Sequence, residues 1–216
     1  MSRSHGRLMT AAERTMSPSH DRATLSPTDV EADSGMRLPG EGSMWVFVLG
    51  DMIIFGVYFV IFMVERASEP AVFLQSQQHL NQTIGLINTL VMLASSWFVA
   101  RAVRACRAGD YRGATRLTVC GFLCGAVFIL IKIYEWSVEI GHGYTLASND
   151  FFMFYFMLTG VHLLHVVMGL IILGIVFREL RNPTLRRASM VESGATYWHM
   201  VDMLWIVIFA LVYVMR

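Results

Sequence analysis

Five long apolar runs constrain the fold of this chain more than any other feature. They lie near residues 44–64, 83–100, 117–138, 151–177 and 194–215. A helix needs about 20 apolar residues to cross the hydrocarbon core of a bilayer, and each run approaches or exceeds that length. Hydrophobic residues make up 55% of the chain and charged residues 15%, so little sequence remains for a separate soluble domain. The sequence therefore predicts an all-α integral membrane protein, a five-helix bundle formed by residues 44–216.

The arginines predict how this bundle is oriented. In the segment after the first run, Arg66 is the only Lys or Arg, and the segment after the third run contains neither. Two further segments, after the second and fourth runs, hold nine arginines: Arg101, Arg104, Arg107, Arg112, Arg116, Arg178, Arg181, Arg186 and Arg187. Because positively charged loops stay in the cytoplasm, we expect a cytoplasmic N-terminus and a C-terminus on the outer side.

Residues 1–43 differ in composition from the rest of the chain. They combine serine, proline, glycine and charges of both signs without a sustained apolar period. Such a segment cannot bury enough apolar surface to offset the entropy lost on folding. It lacks the apolar core of a secretory signal. It also contains several acidic residues, which are rare in transit peptides. We expect a disordered cytoplasmic tail.

The last apolar run carries two ionisable residues, His199 and Asp202. They are three positions apart and therefore lie on one side of a helix, where Trp198, Asp202, Trp205 and Phe209 form a stripe. An ionisable residue inside a membrane rarely faces lipid, so this side is expected to face protein. Either Asp202 and His199 form a buried structural pair, or they have a proton-linked role.

Asp51 is the acidic residue of the first run. A lone acid in an apolar helix is a candidate functional site, and the alternative is a polar contact between helices. Counted from the cytoplasmic ends of their runs, Asp51, His199 and Asp202 all lie roughly 8–12 Å into the membrane, at about 1.5 Å of rise per residue. We therefore expect the first and fifth helices to bring the two acids toward the imidazole.

His162 and His165 lie on one face of the fourth run, together with Gly169. Imidazole ligates metals and haem, but a haem between helices needs opposed histidines at matching depth, and His199 lies nearer the inner side. A buried hydrogen-bonding pair is the favoured interpretation. The cysteines also lack the partners of a metal site. No metal site is expected in this chain.

The third run combines a close-packing motif with a charged pair. Gly121 and Gly125 form a small-residue motif that lets helices approach closely, and Lys132 and Glu135 continue the same face. An intrahelical salt bridge is expected, with the Lys132 side chain extending toward the headgroups. Lipid or partner contacts are predicted at six positions of the third and fifth runs: Gly121, Gly125, Lys132, Trp136, Trp198 and Trp205.

Together these motifs resemble the subunit III family of haem-copper oxidases. Residues 197–205, Tyr-Trp-His-Met-Val-Asp-Met-Leu-Trp, are similar to the family's terminal signature Tyr-Trp-His-Phe-Val-Asp-x-x-Trp. Residues 159–166 match its Thr-Gly-x-His-x-x-His-Val pattern, and residues 134–136 match its Tyr-Glu-aromatic element. The pairs at 88–89, Asn-Thr, and 95–96, Ser-Ser, match its second-span elements. The long form of this subunit has seven spans, and five runs resemble the short bacterial form that lacks the first two.

Two positions depart from the oxidase pattern. Gly50-Asp51 stands where oxidase members carry Ser-Glu, and Lys132 stands shortly before Tyr-Glu where many members have an uncharged residue. The opening Gly-Ser-Met-Trp-Val-Phe of residues 42–47 also looks similar to the NorE-like branch associated with nitric oxide reductase. This similarity implies a link to denitrification.

The resemblance implies a subunit without redox centres in a bacterial inner-membrane respiratory complex. The haems and copper would belong to partner subunits, with catalytic subunit I as the main partner, and no nucleic acid is expected. In the family, subunit III supports the catalytic subunit, holds phospholipid in a cleft and helps proton uptake through its intramembrane acid. For this chain the acid would be Asp51.

Two other classes of function remain open from the residues. A membrane cytochrome b would use His162 or His165 with His199 as haem ligands. A small transporter or proton conductor would be built around Asp51 and Asp202. The sequence shows no inverted repeat and no helix broken by proline, which argues against a transporter.

Overall fold

The computed structural model describes residues 42–182 and 187–215, and within these ranges all regular secondary structure is helical. Five helices are long and apolar enough to cross a membrane, as predicted. The predicted tail, residues 1–43, lies outside the described residues except for its last two positions, which begin the first helix. The elements are α1 (Gly42–Ser68), α2 (Pro70–His79), α3 (Gln82–Arg107), α4 (Tyr111–Gly141), α5 (Asp150–Arg181), α6 (Ala188–Phe209) and a π-helical turn (Ala210–Val214).

The helices extend beyond the apolar runs at the end of the bundle that carries the arginines, which we call the arginine end. The predicted loop 101–116 is a turn of three residues, in which Gly109 has φ +79°, a conformation that favours glycine. Asp110 caps α4 by accepting a hydrogen bond from the Gly113 amide at 2.9 Å. Arginine is a good helix former and suits a helix C-terminus, so the charged residues lengthen α3 instead of ending it.

The short helix α2 was not predicted, because it is too short and too polar to read as a span. It lies at the opposite end of the bundle, where the last span ends. The Gln77 amide donates to the carbonyls of Leu211 and Val212, each at 3.2 Å, and the Gln82 amide donates to the Tyr213 carbonyl at 3.0 Å. These carbonyls belong to the π-helical turn, and glutamine side chains satisfy them where the helix ends.

The last span, α6 with the π-helical turn, is the central element. Of its most apolar stretch 61% of residues are buried, compared with 17–33% in the other four spans. It packs against α1, α3 and α5, while α4 packs against α3 and α5. Exposed apolar side chains on α1, including Val46, Ile53 and Val60, leave that helix with a broad surface for lipid or another protein.

Glycines of α4 and α5 make room for the Trp198 indole. A Cβ atom on Gly125 would lie 2.7 Å from Trp198, and one on Gly169 would lie 2.7 Å from the other side of the same ring. Gly121 meets Val99 of α3, at 2.9 Å from a Cβ placed there. The predicted helix–helix contact at Gly121 and Gly125 is therefore inside this chain.

Several predicted lipid or partner contacts are wrong, because these residues are buried between helices of this chain. The side chains of Lys132, Trp198 and Trp205 are fully buried within the bundle, as are Gly121 and Gly125. They pack between the helices of one chain and cannot reach lipid. Trp136 is only half-buried, and its indole donates to Thr159 Oγ1 at 3.3 Å, so a lipid or partner contact there stays a prediction.

Candidate functional site

The most extensive polar network in the described core is the lysine cluster, formed by Lys132, Glu135, Tyr155 and Tyr213. The Lys132 ammonium donates to Glu135 Oε2 at 3.2 Å, to the Tyr155 hydroxyl at 3.2 Å and to the Tyr213 hydroxyl at 2.8 Å. Both hydroxyls in turn donate to Glu135 Oε1, that of Tyr155 at 3.0 Å. The cluster joins α4, α5 and the π-helical turn.

Aromatic rings surround the buried ammonium of this cluster. The Lys132 Nζ atom lies 4.7 Å from the Tyr155 ring centre, 5.2 Å from that of Trp205 and 5.4 Å from that of Tyr213. Ring faces attract a cation at such distances. The expected extension of Lys132 toward the headgroups is wrong, because its partners lie inside the bundle. With every donor satisfied, the cluster is suited to holding three elements together rather than to moving a proton.

A second polar site is the Asp51–His165 pair, which links α1 to α5. Asp51 Oδ2 lies 3.4 Å from His165 Nε2, and the two side chains are 14% and 15% exposed. Oδ2 lacks a hydrogen bond of good geometry to the described residues, and the contact is an ion pair only when the imidazole is protonated. The other ring nitrogen, Nδ1, faces the Val161 carbonyl at 2.8 Å and must carry a proton to donate to it.

With a proton on Nδ1, Nε2 is the ring nitrogen that can accept a further proton, and it is the one that faces the Asp51 carboxyl group. The Phe55 ring packs edge-on against His165 at 5.3 Å and fixes the position of the imidazole. The pair is therefore chemically able to hold and release a proton.

An open groove of about 350 Å³ is connected to the pair through Tyr197, although neither Asp51 nor His165 lines it. Met44 and Phe47 of α1 line this groove together with Tyr197 of α6. The Tyr197 hydroxyl donates to the His165 carbonyl at 3.4 Å, and its ring stacks on Phe47 with centres 6.1 Å apart. Arg187 also lines the groove, which therefore lies at the arginine end.

The expected meeting of Asp51, His199 and Asp202 is wrong. His199 Nδ1 lies 2.6 Å from Ser96 Oγ on α3, and the Asp202 carboxyl group also faces Ser96. Asp51 pairs with His165 instead. Equal depth fixes where residues lie along the membrane normal, but it does not fix which neighbouring helix each one faces.

His199 and Asp202 belong to a seam of hydroxyl groups between α3 and α6, which we call the serine seam. Ser95 Oγ accepts from the Trp198 indole at 3.1 Å and donates to the Gly121 carbonyl at 2.7 Å. One further contact extends the seam, the Trp205 indole donating to Thr89 Oγ1 at 3.0 Å. These contacts favour the structural alternative for His199 and Asp202, since small hydroxyl residues join membrane helices in this way.

His162 does not form the predicted hydrogen-bonding pair with His165. Its ring is buried and stacks on Trp205 with centres 5.2 Å apart, with Phe128 edge-on at 5.7 Å. Neither ring nitrogen has a hydrogen-bond partner in the described part of the chain. Within residues 42–182 and 187–215 no group of three His, Cys, Asp or Glu side chains is arranged to hold a metal ion.

Two members of the lysine cluster were given no role from the sequence. Tyr213 follows Trp205 and Phe209 at four-residue intervals and so continues the predicted stripe of α6. Tyr155 stands in a group of aromatic residues at the start of α5, and nothing distinguishes it there from its neighbours. The first could have been found from helical spacing, whereas the second could not.

The chain matches the family model described as cytochrome c oxidase subunit III over residues 30–216. "Cytochrome c oxidase subunit 3" of Thermostichus vulcanus is 30% identical over 173 residues, which cover 79% of this chain and 84% of that protein. "Probable cytochrome c oxidase subunit 3" of Mycobacterium bovis is 32% identical over 177 residues, 79% of this chain and 85% of that protein. "Quinol oxidase subunit 3" of Bacillus spizizenii is 29% identical over 192 residues, 88% of this chain and 93% of that protein.

Proposed function

Because this chain belongs to the cytochrome c oxidase subunit III family, we propose that it is a non-catalytic subunit of a haem-copper respiratory complex. It binds catalytic subunit I in a bacterial inner membrane and supports the assembly and stability of the complex. The five apolar spans and the bacterial relatives support this location. The exposed apolar face of α1 offers a surface for a membrane partner.

The Asp51–His165 pair supports a second part of the proposal, a role in proton uptake by the partner subunit. The pair lies at the boundary between α1 and α5, and Tyr197, which contacts the His165 carbonyl, also lines a groove at the arginine end. A proton entering there would reach a site that can store it inside the membrane. The carboxyl group of Asp51 would then pass it to an uptake path in subunit I.

Substitution of Asp51 tests this role. Asp51→Asn keeps the shape and hydrogen-bonding capacity of the side chain but cannot ionise. The purified complex should contain normal amounts of every subunit yet turn over more slowly, or inactivate sooner, at alkaline pH, where protons are scarce.

The matched control is Asp202→Asn, which removes an acid of the serine seam and should leave the pH profile of turnover unchanged. Wild-type turnover of Asp51→Asn at every pH would exclude an ionisable role for Asp51. Loss of the complex would instead assign the residue to assembly.

We propose further that the partner is of the nitric oxide reductase type, in the NorE-like branch. The Gly50-Asp51 pair and Lys132, which depart from the oxidase pattern, support this branch. The relatives above carry the names of cytochrome c and quinol oxidases, which makes an oxygen-reducing complex the second candidate. In membranes from a deletion strain, nitric oxide consumption should fall while oxygen uptake is unchanged. The reverse result would assign the chain to an oxygen-reducing oxidase.

A further inference from the structure

A groove between α4 and α5 opens at the arginine end and is separate from the one lined by Tyr197. Its mouth encloses about 400 Å³ and is lined by Arg112 and Arg116 from α4 and by Arg181 from α5. Phe177 forms part of its wall and also lines a second, apolar space of about 220 Å³. The two spaces are therefore neighbours along the α4–α5 contact, one basic and the other apolar, and we refer to them together as the groove.

Within the described part of the chain, the charges at the mouth have no carboxylate partner. Arg112, Arg116 and Arg181 are exposed, and none of them forms an ion pair with a carboxylate in residues 42–182 and 187–215. Among the described residues no acidic side chain lines the groove. Asp110, at the start of α4, caps that helix through the Gly113 amide instead. Three guanidinium groups of this kind match the oxygens of a phosphate group, which each can bind through two parallel hydrogen bonds.

The inner part of the groove has the chemistry of an acyl-chain site. Val119 and Phe122 line it from α4, Leu173 and Gly174 line it from α5. The space beside Gly174 is open, because a Cβ atom there would meet nothing within 4 Å. Phe122 lies ten residues beyond Arg112, roughly 15 Å along the helix, which takes the groove from the charged mouth well into the hydrocarbon region.

We propose that this groove binds one anionic phospholipid. The phosphate group lies between Arg112, Arg116 and Arg181, and one acyl chain runs past Phe177 to Gly174. A free phosphate ion would use the mouth alone and leave the apolar part empty, whereas a lipid uses both. The excess of three positive charges selects an anionic headgroup over a zwitterionic one. The site lies between two spans that this chain possesses, so it does not depend on the two helices absent from the short form.

Native mass spectrometry of the delipidated full-length chain tests the proposal by titration with phosphatidylglycerol or phosphatidylcholine. We expect a single phosphatidylglycerol to bind more tightly than phosphatidylcholine. The double variant Arg112→Gln/Arg116→Gln should bind it more weakly by roughly fivefold for each arginine removed. The matched control, Arg101→Gln/Arg104→Gln, removes two exposed arginines of α3 outside the groove and should bind it like the wild type.

A second pair of variants tests the acyl-chain part without changing any charge. Gly174→Leu fills the open space beside α5 and should weaken binding of phosphatidylglycerol, whereas Gly56→Leu places the same side chain into open space on α1 and should not. Thermal melting of each variant verifies its fold.

Three results would overturn the proposal. Equal affinity for the two lipids would exclude selection by charge. Undiminished binding by the arginine variant would place the lipid elsewhere. Undiminished binding by Gly174→Leu, combined with displacement of the lipid by inorganic phosphate, would reveal a simple anion site.

Discussion

At the scale of single residues, the position of Lys132 is the least expected feature. Its ammonium is removed from lipid and water alike and is stabilised by one carboxylate, two hydroxyls and three aromatic rings. Removing one member of a buried ion pair leaves the other charge without a partner, which destabilises a protein by about 3–5 kcal/mol. Replacing both members removes the charges together and is far less costly.

We therefore predict that Lys132→Met destabilises the subunit strongly and that Lys132→Met/Glu135→Gln recovers much of the loss. The single variant leaves a buried carboxylate held only by Tyr155 and Tyr213, whereas the double variant leaves a neutral amide that both hydroxyls can still contact. Thermal melting of the purified chain in detergent measures both effects. A double variant no more stable than the single one would show that the cluster depends on its geometry and not on charge balance.

Some residue positions in the bundle could be predicted from the sequence, and others could not. Helical spacing placed Trp198, Asp202 and Trp205 on the buried side of the last span, because period and polarity alone determine that face. Spacing also paired Lys132 with Glu135. The partners of Asp51 and His199 could not be found in this way, because they depend on how neighbouring helices are rotated about their axes.

At the scale of helices, α4, α5 and α6 pack closely around Trp198. Gly125 and Gly169 lie on opposite sides of one indole ring, which itself donates to Ser95 on α3. Four helices therefore meet at a single tryptophan. Any side chain larger than hydrogen at either glycine must displace the ring.

We predict that Gly125→Leu lowers the amount of assembled complex recovered in detergent, because its side chain would collide with Trp198. The matched control is Gly56→Leu on α1, where a Cβ atom meets nothing within 4 Å. Detergent extraction followed by size-exclusion chromatography compares the two. Equal recovery of Gly125→Leu and wild-type complex would mean that α4 and α6 separate at little cost.

The predicted helix boundaries were wrong at the arginine end, and one short helix was missed. Apolar runs predicted the five spans but ended them too early, since arginines that look like a loop in a hydropathy pattern continue α3 and α4 as helix. The helix α2 was missed because its role is local. Its Gln77 satisfies carbonyls of the distant segment Ala210–Val214, and no periodic pattern records such a contact.

At the scale of the whole molecule, the bundle has two chemically different ends. The arginine end contains the turn Ala108–Asp110 and the ion pair between Arg107 and Glu192 at 2.8 Å, which joins the end of α3 to the start of α6. The opposite end contains α2 and the loop 142–149, which carries no Lys or Arg. The asymmetry predicts that the arginine end is cytoplasmic.

Cysteine labelling tests this orientation with two matched alanines. In a background without Cys106, Cys120 and Cys124, an impermeant thiol reagent added outside should miss Ala108→Cys and label Ala147→Cys. Ala147 is preferable to the neighbouring Gly143, whose φ of +88° disfavours any side chain. Labelling of Ala108→Cys but not of Ala147→Cys would show that the arginine end lies outside, opposite to the predicted orientation.

The central claim, that this chain is a subunit of a haem-copper complex and carries no haem itself, is tested most directly by its purification under two conditions. The tagged chain purified from its native membranes in mild detergent should bring down a haem-bearing partner and show a Soret band. The same chain produced without that partner should show no such band. A Soret band in the chain purified alone would make it a cytochrome, and purification from native membranes without any haem-bearing partner would contradict the account.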